Sequence, residues 1–296
     1  MVAGVKGTVL PMRNQTQASR WHQIDLKTMM FLVVLFSLPF AIWNLKKTRL
    51  RQFQQAAAPF ENSGAVVASN PEGLVGFLVA YLFLGSDHLV TSISFMDEPI
   101  TDRQLKSLRD ELRALPKLNR ILLENTRVTD AGLSAVSELV QLSCLRLDGT
   151  AITDAGVSQI RHLTKMRELG LARTNVTDAC VMDLQEMTVL RSLHLSDTQI
   201  TDNGLAALKE FTKLEFLSLR NTAVTDEGLA SVSSLTKMET LDLGNTRITD
   251  ACLPDLMRLS HLQSLCIDGT ELSKDGIVQL KLALPDCRVW DEILQP

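Results

Sequence analysis

The chain has 296 residues and no Cys-x-x-Cys pair among its five cysteines, Cys144, Cys180, Cys252, Cys266 and Cys287. An odd, scattered set of this kind is no disulfide framework and has no zinc-ligand spacing, so buried free thiols that pack as small hydrophobes are expected. Histidine is also sparse: His22 precedes the main apolar segment, and His88, His162, His194 and His261 are widely separated. There is no HExxH, no GxSxG and no glycine-rich phosphate loop. These absences leave no catalytic residue, metal ligand or cofactor site to assign, and the expectation is a protein that is not an enzyme.

Basic residues are scarce beyond the N-terminus. Residues 1–60 hold eight of them (Lys6, Arg13, Arg20, Lys27, Lys46, Lys47, Arg49 and Arg51) against the single acid Asp25, a balance of +7. Taken from the total of −4, this leaves residues 61–296 at −11, with 22 basic and 33 acidic groups. An acidic body repels phosphate backbones and argues against nucleic acid as a partner. A basic head suits a segment beside anionic lipid.

That head contains a long apolar run. Residues Thr28 to Leu45 read TMMFLVVLFSLPFAIWNL, with Lys27 before and Lys46-Lys47 after. At ~1.5 Å per residue they reach ~27 Å, about the thickness of a bilayer's hydrocarbon core. A buried helix of a soluble core would show a polar face, and this segment shows none. The small-residue run Ala56-Ala57-Ala58 lies too far beyond the apolar stretch for signal cleavage, so an uncleaved single-pass helix at 28–45 is expected. The cations flanking it are nearly balanced, and the positive-inside rule assigns no side of the membrane to the rest of the chain.

Beyond residue 88 one period dominates. Threonine recurs at Thr126, Thr150, Thr174, Thr198, Thr222, Thr246 and Thr270, seven times at a spacing of 24. Around each lies the frame L-x-x-L-x-L-x-x-T-x-[VI]-T-D-x-G-[LV]-x-x-[LVI]-x-x-L, seen cleanly in Leu214, Leu217, Leu219, Thr222, Val224, Thr225, Asp226, Gly228, Leu229, Val232 and Leu235. A degenerate copy (Val90, Ile93, Phe95, Ile100, Thr101, Asp102) precedes it, followed by four extra residues. This period and pattern are those of a leucine-rich-repeat solenoid. The L-x-L leucines share one side of a short strand. The threonine after them turns the chain, and its hydroxyl is expected to bond the backbone of a neighbouring repeat. In the Thr-Asp pair, Thr is a helix N-cap and Asp an acid suited to the first helical turn. One strand, one turn and one helix cannot close a core, so the units must stack into an α/β horseshoe with a parallel sheet on the concave side and helices on the convex side.

The frame resembles that of bacterial leucine-rich-repeat proteins with a short N-terminal membrane anchor. The likeness extends to Arg20-Trp21, the stalk KKTRLRQFQQAAA, Gly64-Ala-Val-Val, and the closing Ala283-Leu-Pro-Asp-Cys-Arg-Val289. The repeats are also similar to the cysteine-containing repeats of F-box substrate receptors, which share I-T-D-x-G-L, although Thr stands here for the usual cysteine and no F-box segment is present. The first resemblance implies membrane association and a binding role, with no catalytic residue to carry over. The second would imply a substrate-recognition adaptor for ubiquitin-dependent degradation. A structural envelope protein is a further alternative.

The expected organisation is a basic tail at 1–27, a transmembrane helix at 28–45, a charged stalk at 46–63, an N-terminal cap at 64–88 and repeats at 89–296. The cap should hold a strand near 64–68 and the apolar helix Leu74–Leu84, too short to cross a bilayer and bracketed by Glu72 and Asp87. Leu284-Pro285 should stop the last helix before a final strand at 287–290. Residues flanking the L-x-L leucines should face solvent on the concave sheet. They vary between repeats while the core positions barely do, as a binding surface requires. The expected partner-binding set is Arg146, Arg173, His194, Phe216 and Arg220, with Asp242 and Asp268 beyond, since aromatic and arginine residues are the usual interface anchors. The partners expected are a protein or peptide on this face and a lipid bilayer through residues 28–45.

Overall fold

The computed structural model of the chain describes residues 65–67 and 90–291. The expected basic tail, membrane helix at 28–45, stalk and cap helix at Leu74–Leu84 lie outside the described residues. Among the described residues no helix is long and apolar enough to cross a membrane.

Among the described residues, ten three-residue strands form one sheet: β1 (Ala65–Val67), β2 (Ser92–Ser94), β3 (Arg120–Leu122), β4 (Cys144–Arg146), β5 (Glu168–Gly170), β6 (Ser192–His194), β7 (Phe216–Ser218), β8 (Thr240–Asp242), β9 (Ser264–Cys266) and β10 (Arg288–Trp290). They lie in chain order and every neighbouring pair is parallel. Eight of them carry the repeat frame; β1 and β10 add the expected cap strands. At ~4.8 Å per strand the sheet is roughly 43 Å long. The four extra residues after the degenerate copy leave the register intact, because β2 and β3 still pair Ile93 with Ile121. They are absorbed on the other side of the solenoid, in the consecutive helices Asp102–Ser107 and Arg109–Arg113.

The middle residue of each strand from β2 to β9 (Ile93, Ile121, Leu145, Leu169, Leu193, Leu217, Leu241, Leu265) points away from solvent and is fully buried. Below them the helical residues of the frame complete one continuous core. The regular connections are short helices such as Asp154–Ile160, Asp202–Leu208 and Asp226–Val232, or 3-10 turns such as Asp130–Ala135. Packed helices stand 8–10 Å apart against ~4.8 Å for strands, which places the sheet on the inner side of such a coil.

Two features of the frame have a different cause from the one expected. The frame threonines do not reach a neighbouring repeat. Each hydroxyl donates to the carbonyl three residues back in its own repeat, from Thr126 to Leu123 (2.8 Å), Thr222 to Leu219 (2.6 Å) and Thr246 to Leu243 (2.6 Å), with the other four alike. The reason is the residue just before the threonine: Asn125, Gly149, Arg173, Asp197, Asn221, Asn245 and Gly269 all have φ between 54° and 70°, and this left-handed step folds the threonine back onto its own strand. Asn, Asp and Gly accept that conformation readily; Arg173 is the exception.

The ladder between repeats is built by the aspartates instead. Asp178 accepts from the Thr201 N–H (2.7 Å) and the Thr201 hydroxyl (2.6 Å) of the next repeat, while that hydroxyl accepts from the Asn203 N–H (3.3 Å) as the N-cap. The same two-bond staple joins Asp102 to Thr129, Asp130 to Thr153, Asp154 to Thr177, Asp202 to Thr225, Asp226 to Thr249 and Asp250 to Ser273. Thus the threonine caps its helix as expected, and the acid ties one repeat to the next. The frame glycine makes room for that acid. A Cβ on Gly132 or Gly204 would lie 2.5 Å from the Oδ1 of Asp102 or Asp178, and at Gly156, Gly228 and Gly276 the approach is closer still.

Candidate functional site

The strand residues flanking each buried leucine stand in two rows across the sheet's open face, with a third row just after the strands. Strand register aligns Arg120, Cys144, Glu168, Ser192, Phe216, Thr240 and Ser264 in one row. It aligns Leu122, Arg146, Gly170, His194, Ser218, Asp242 and Cys266 in the next. Glu124, Asp148, Ala172, Ser196, Arg220, Gly244 and Asp268 follow as the third.

The expected partner-binding residues separate into two charged groups joined by an aromatic pair. Around Arg146, three carboxylates converge. Asp148 Oδ2 lies 2.7 Å from Nε, Glu168 Oε1 3.1 Å from Nη1 and Glu124 Oε1 3.7 Å from Nε, while Arg120 reaches Glu168 at 3.6 Å. Gly170 permits this arrangement: a Cβ there would strike Asp148 Oδ2 and the Nε and Cδ of Arg146, so the arginine lies flat across the bare strand. Glu124 is buried, its Oε2 has no hydrogen-bond partner, and burial raises its carboxyl above the usual range despite the Arg146 charge. Glu168 also loses hydration, but hydrogen bonds from Arg146 and Cys144 and the charge of Arg120 hold its carboxyl below the usual range.

His194 packs on Phe216 with ring centroids 4.5 Å apart and planes tilted by 31°, and its Nε2 lies 3.1 Å from Ser192 Oγ. Burial, followed by the Arg146 charge, lowers its pKa, so the imidazole is neutral at neutral pH and the pair is an uncharged aromatic contact.

The second charged group surrounds Arg220. Its guanidinium pairs with both carboxylate oxygens of Asp268, reaches Asp242 Oδ1 at 3.5 Å, and lies over Gly244 where a Cβ would collide with Nη1. Asp242 is held by the Ser218 hydroxyl (3.1 Å) and the Gly244 N–H (3.0 Å). Arg173 belongs to neither group. It occupies the left-handed corner beyond the strand, is exposed, and donates from Nη2 to Asn125 Oδ1 at 3.2 Å. The sequence reading treated Arg146, Arg173, His194, Phe216 and Arg220 as one patch with Asp242 and Asp268 beyond it; the structure divides them, and Arg146 and Arg220 are committed to the protein's own acids. The sequence reading also missed Glu124, Asp148 and Glu168 as the partners of Arg146. The signal was available in the charge alternation Arg146-x-Asp148 and in Glu124 and Glu168, each two residues from the Arg146 frame position in an adjoining repeat.

A shallow cavity of about 440 Å³ opens beyond Phe216, lined by Thr240, Leu241, Asp242, Ser264, Cys266, Asp268, Trp290 and Asp291. Burial, with Glu168 beside Cys144, Asp226 beside Cys252 and Asp268 beside Cys266, pushes each of these three thiols up to about 12. All five cysteines are free, and four of them are buried. Among the described residues no three His, Cys, Asp or Glu side chains are grouped to hold a metal ion.

Comparison with known proteins agrees with this architecture. A family model described as leucine-rich repeats (2 copies) matches residues 212–256, and a second, leucine-rich repeat, matches residues 186–209. No curated protein sequence matches the chain. Among solved structures, an internalin C2 from Listeria monocytogenes is 24% identical, with a TM-score of 0.56 over 70% of this chain and 83% of that one. An internalin (inlF) from the same organism is 18% identical, with a TM-score of 0.56 over 69% of this chain, which spans 54% of the internalin's length. At these identities the likeness is one of fold: the chain is a leucine-rich-repeat solenoid.

Proposed function

We propose that this chain is a membrane-anchored scaffold that presents the open face of its repeat sheet to a protein or peptide partner and carries out no chemistry of its own. The observation that carries the reading is the contrast within the frame. The leucines, threonines and Thr-Asp staples recur with little change, whereas the outward rows run from Arg120 to Cys144, Glu168, Ser192 and Phe216 on equivalent sites. A rigid backbone with a different side chain at each site is a preorganised recognition surface, because little freedom is lost on binding. The arginines held flat by acids across Gly170 and Gly244 add to that rigidity. The fold shared with the two internalins is consistent with a role in protein–protein interaction. For the anchor, the support is the apolar run Thr28 to Leu45 between Lys27 and Lys46-Lys47.

Two arms test the reading. Membranes washed with carbonate should retain the full chain and release one lacking residues 28–45; release of both removes the anchor. A partner co-purified with the full chain should be lost on Ser192→Arg, on the sheet face, and kept on Ala206→Arg, on the exposed side of helix Asp202–Leu208. The reverse pattern would move the binding surface to the helices. Protease protection of a tag placed after Pro296 then assigns the side of the membrane that carries the repeats.

A further inference from the structure

The cavity at the β7–β10 end of the sheet has a chemistry that the rest of the face lacks. Phe216 and Trp290 stand at its two ends, on strands three spacings apart, or roughly 14 Å. The short side chains of Thr240 and Ser264 lie between them and leave the space open. Three carboxylates line it (Asp242, Asp268 and Asp291), and no lysine or arginine does. Arg220 serves both Asp242 and Asp268, and Lys281 pairs with Asp291 at 2.8 Å. The Cys266 thiol remains neutral and donates to Asp268 Oδ1 at 2.6 Å. By contrast, the acids around Arg146 enclose no such opening, since the guanidinium itself fills the space over Gly170.

We infer that this hollow receives an arginine or lysine side chain from a partner protein lying along the sheet. The inference rests on the reading of the sheet face as the binding surface and narrows it to one anchor point. A cation entering here shares Asp242 and Asp268 with Arg220 and meets aromatic surface at the ends, the combination that favours arginine at interfaces. The protein already shows the same recognition internally: Arg288 places its guanidinium carbon 3.7 Å from the centre of the Trp290 ring. Trp290 is still 41% exposed, and Phe216 is half-buried, so ring surface remains for a second group. The −11 balance of residues 61–296 attracts a basic segment over a longer range.

The test is selection of random displayed peptides on the full-length chain, followed by affinity measurement with the synthetic peptides selected. Expected is an arginine or lysine at one fixed position, with roughly tenfold or greater loss of affinity when citrulline or norleucine replaces it. Asp242→Asn should weaken binding similarly. Thr240→Arg seats a cation of the protein's own in the hollow; it should abolish binding while circular dichroism and the thermal midpoint stay near those of the parent. Peptides with no fixed cation, the absence of any selected peptide, or basic peptides that bind Thr240→Arg as tightly as the parent each overturn the inference. Peptides lost on Ser192→Arg but kept on Thr240→Arg would leave the sheet-face reading standing and reject the hollow. Peptides unmoved by either would reject both.

Discussion

At Arg173 the chain takes a left-handed backbone step, φ 55°, that every equivalent repeat gives to Asn, Asp or Gly. An ordinary L-residue there costs about 1 kcal/mol, and the single exposed bond to Asn125 returns less than that. Arg173→Asn is therefore expected to raise unfolding stability by about 1 kcal/mol in urea titrations; a loss of stability would mean that the guanidinium makes a contribution beyond this bond. Glu124 gives a second prediction. Its folded carboxyl is raised mainly by burial, so the folded protein holds this proton to higher pH than the unfolded chain does. Its stabilising effect is complete below the unfolded value of 4.5 and is lost as pH rises through the folded value. Glu124→Gln should consequently raise the urea midpoint at pH 7 and have little effect at pH 4. Equal shifts at both would show that the effect does not arise from protonation. His194 has the opposite sign, since its folded pKa is lowered, and acidification through its unfolded value of 6.5 should destabilise the parent but not His194→Phe. None of these three environments was legible in the sequence. Each depends on what neighbouring repeats place around the residue, and only the Asn/Asp/Gly preference before the frame threonine could have been read from the spacing.

The joint between one helical connection and the next depends on the Thr-Asp-x-Gly segment. In sequence it reads as a helix start, and the threonine does cap its helix. The contribution of the acid became visible only with the repeats stacked, because its partners lie 23 residues further on. Asp178→Ala leaves the Thr201 N–H and hydroxyl without their acceptor and is expected to cost roughly 1–3 kcal/mol. Gly204→Ala would normally favour a helix, yet here its Cβ meets Asp178 Oδ1 at 2.5 Å, so it should destabilise the parent. In the Asp178→Ala background the same change should become neutral or favourable. This non-additivity is measurable in a double-mutant cycle, and simple additivity would contradict the staple. Cys180 and Cys252 stand where other repeats have this glycine. The Asp154 and Asp226 staples persist beside them, and the Cys252 thiol is hydrogen-bonded to Asp226, so the slot accepts a side chain that can donate to the acid.

Over the repeats, the 24-residue period was enough to read the solenoid and its parallel sheet. The L-x-L alternation determined which side chains reach the open face, because a strand admits only two orientations. What those side chains do to one another was not legible: Arg220 and Asp268 are 48 residues apart and meet only because Gly244 leaves the strand between them bare. The face is therefore less a set of free arginines than a braced platform, with one aromatic pair at its centre and one acidic hollow near its end. The most direct measurement of its role is photo-crosslinking in the cell's own membranes, with the photoreactive residue placed in turn at Ser192, Thr240 and Ser264 on the sheet face and at Ala206 and Ala230 on the helices. The account predicts a discrete adduct from the sheet positions and none from the helical ones. Adducts confined to the helical positions would show that the partner lies on the other side and would contradict the account.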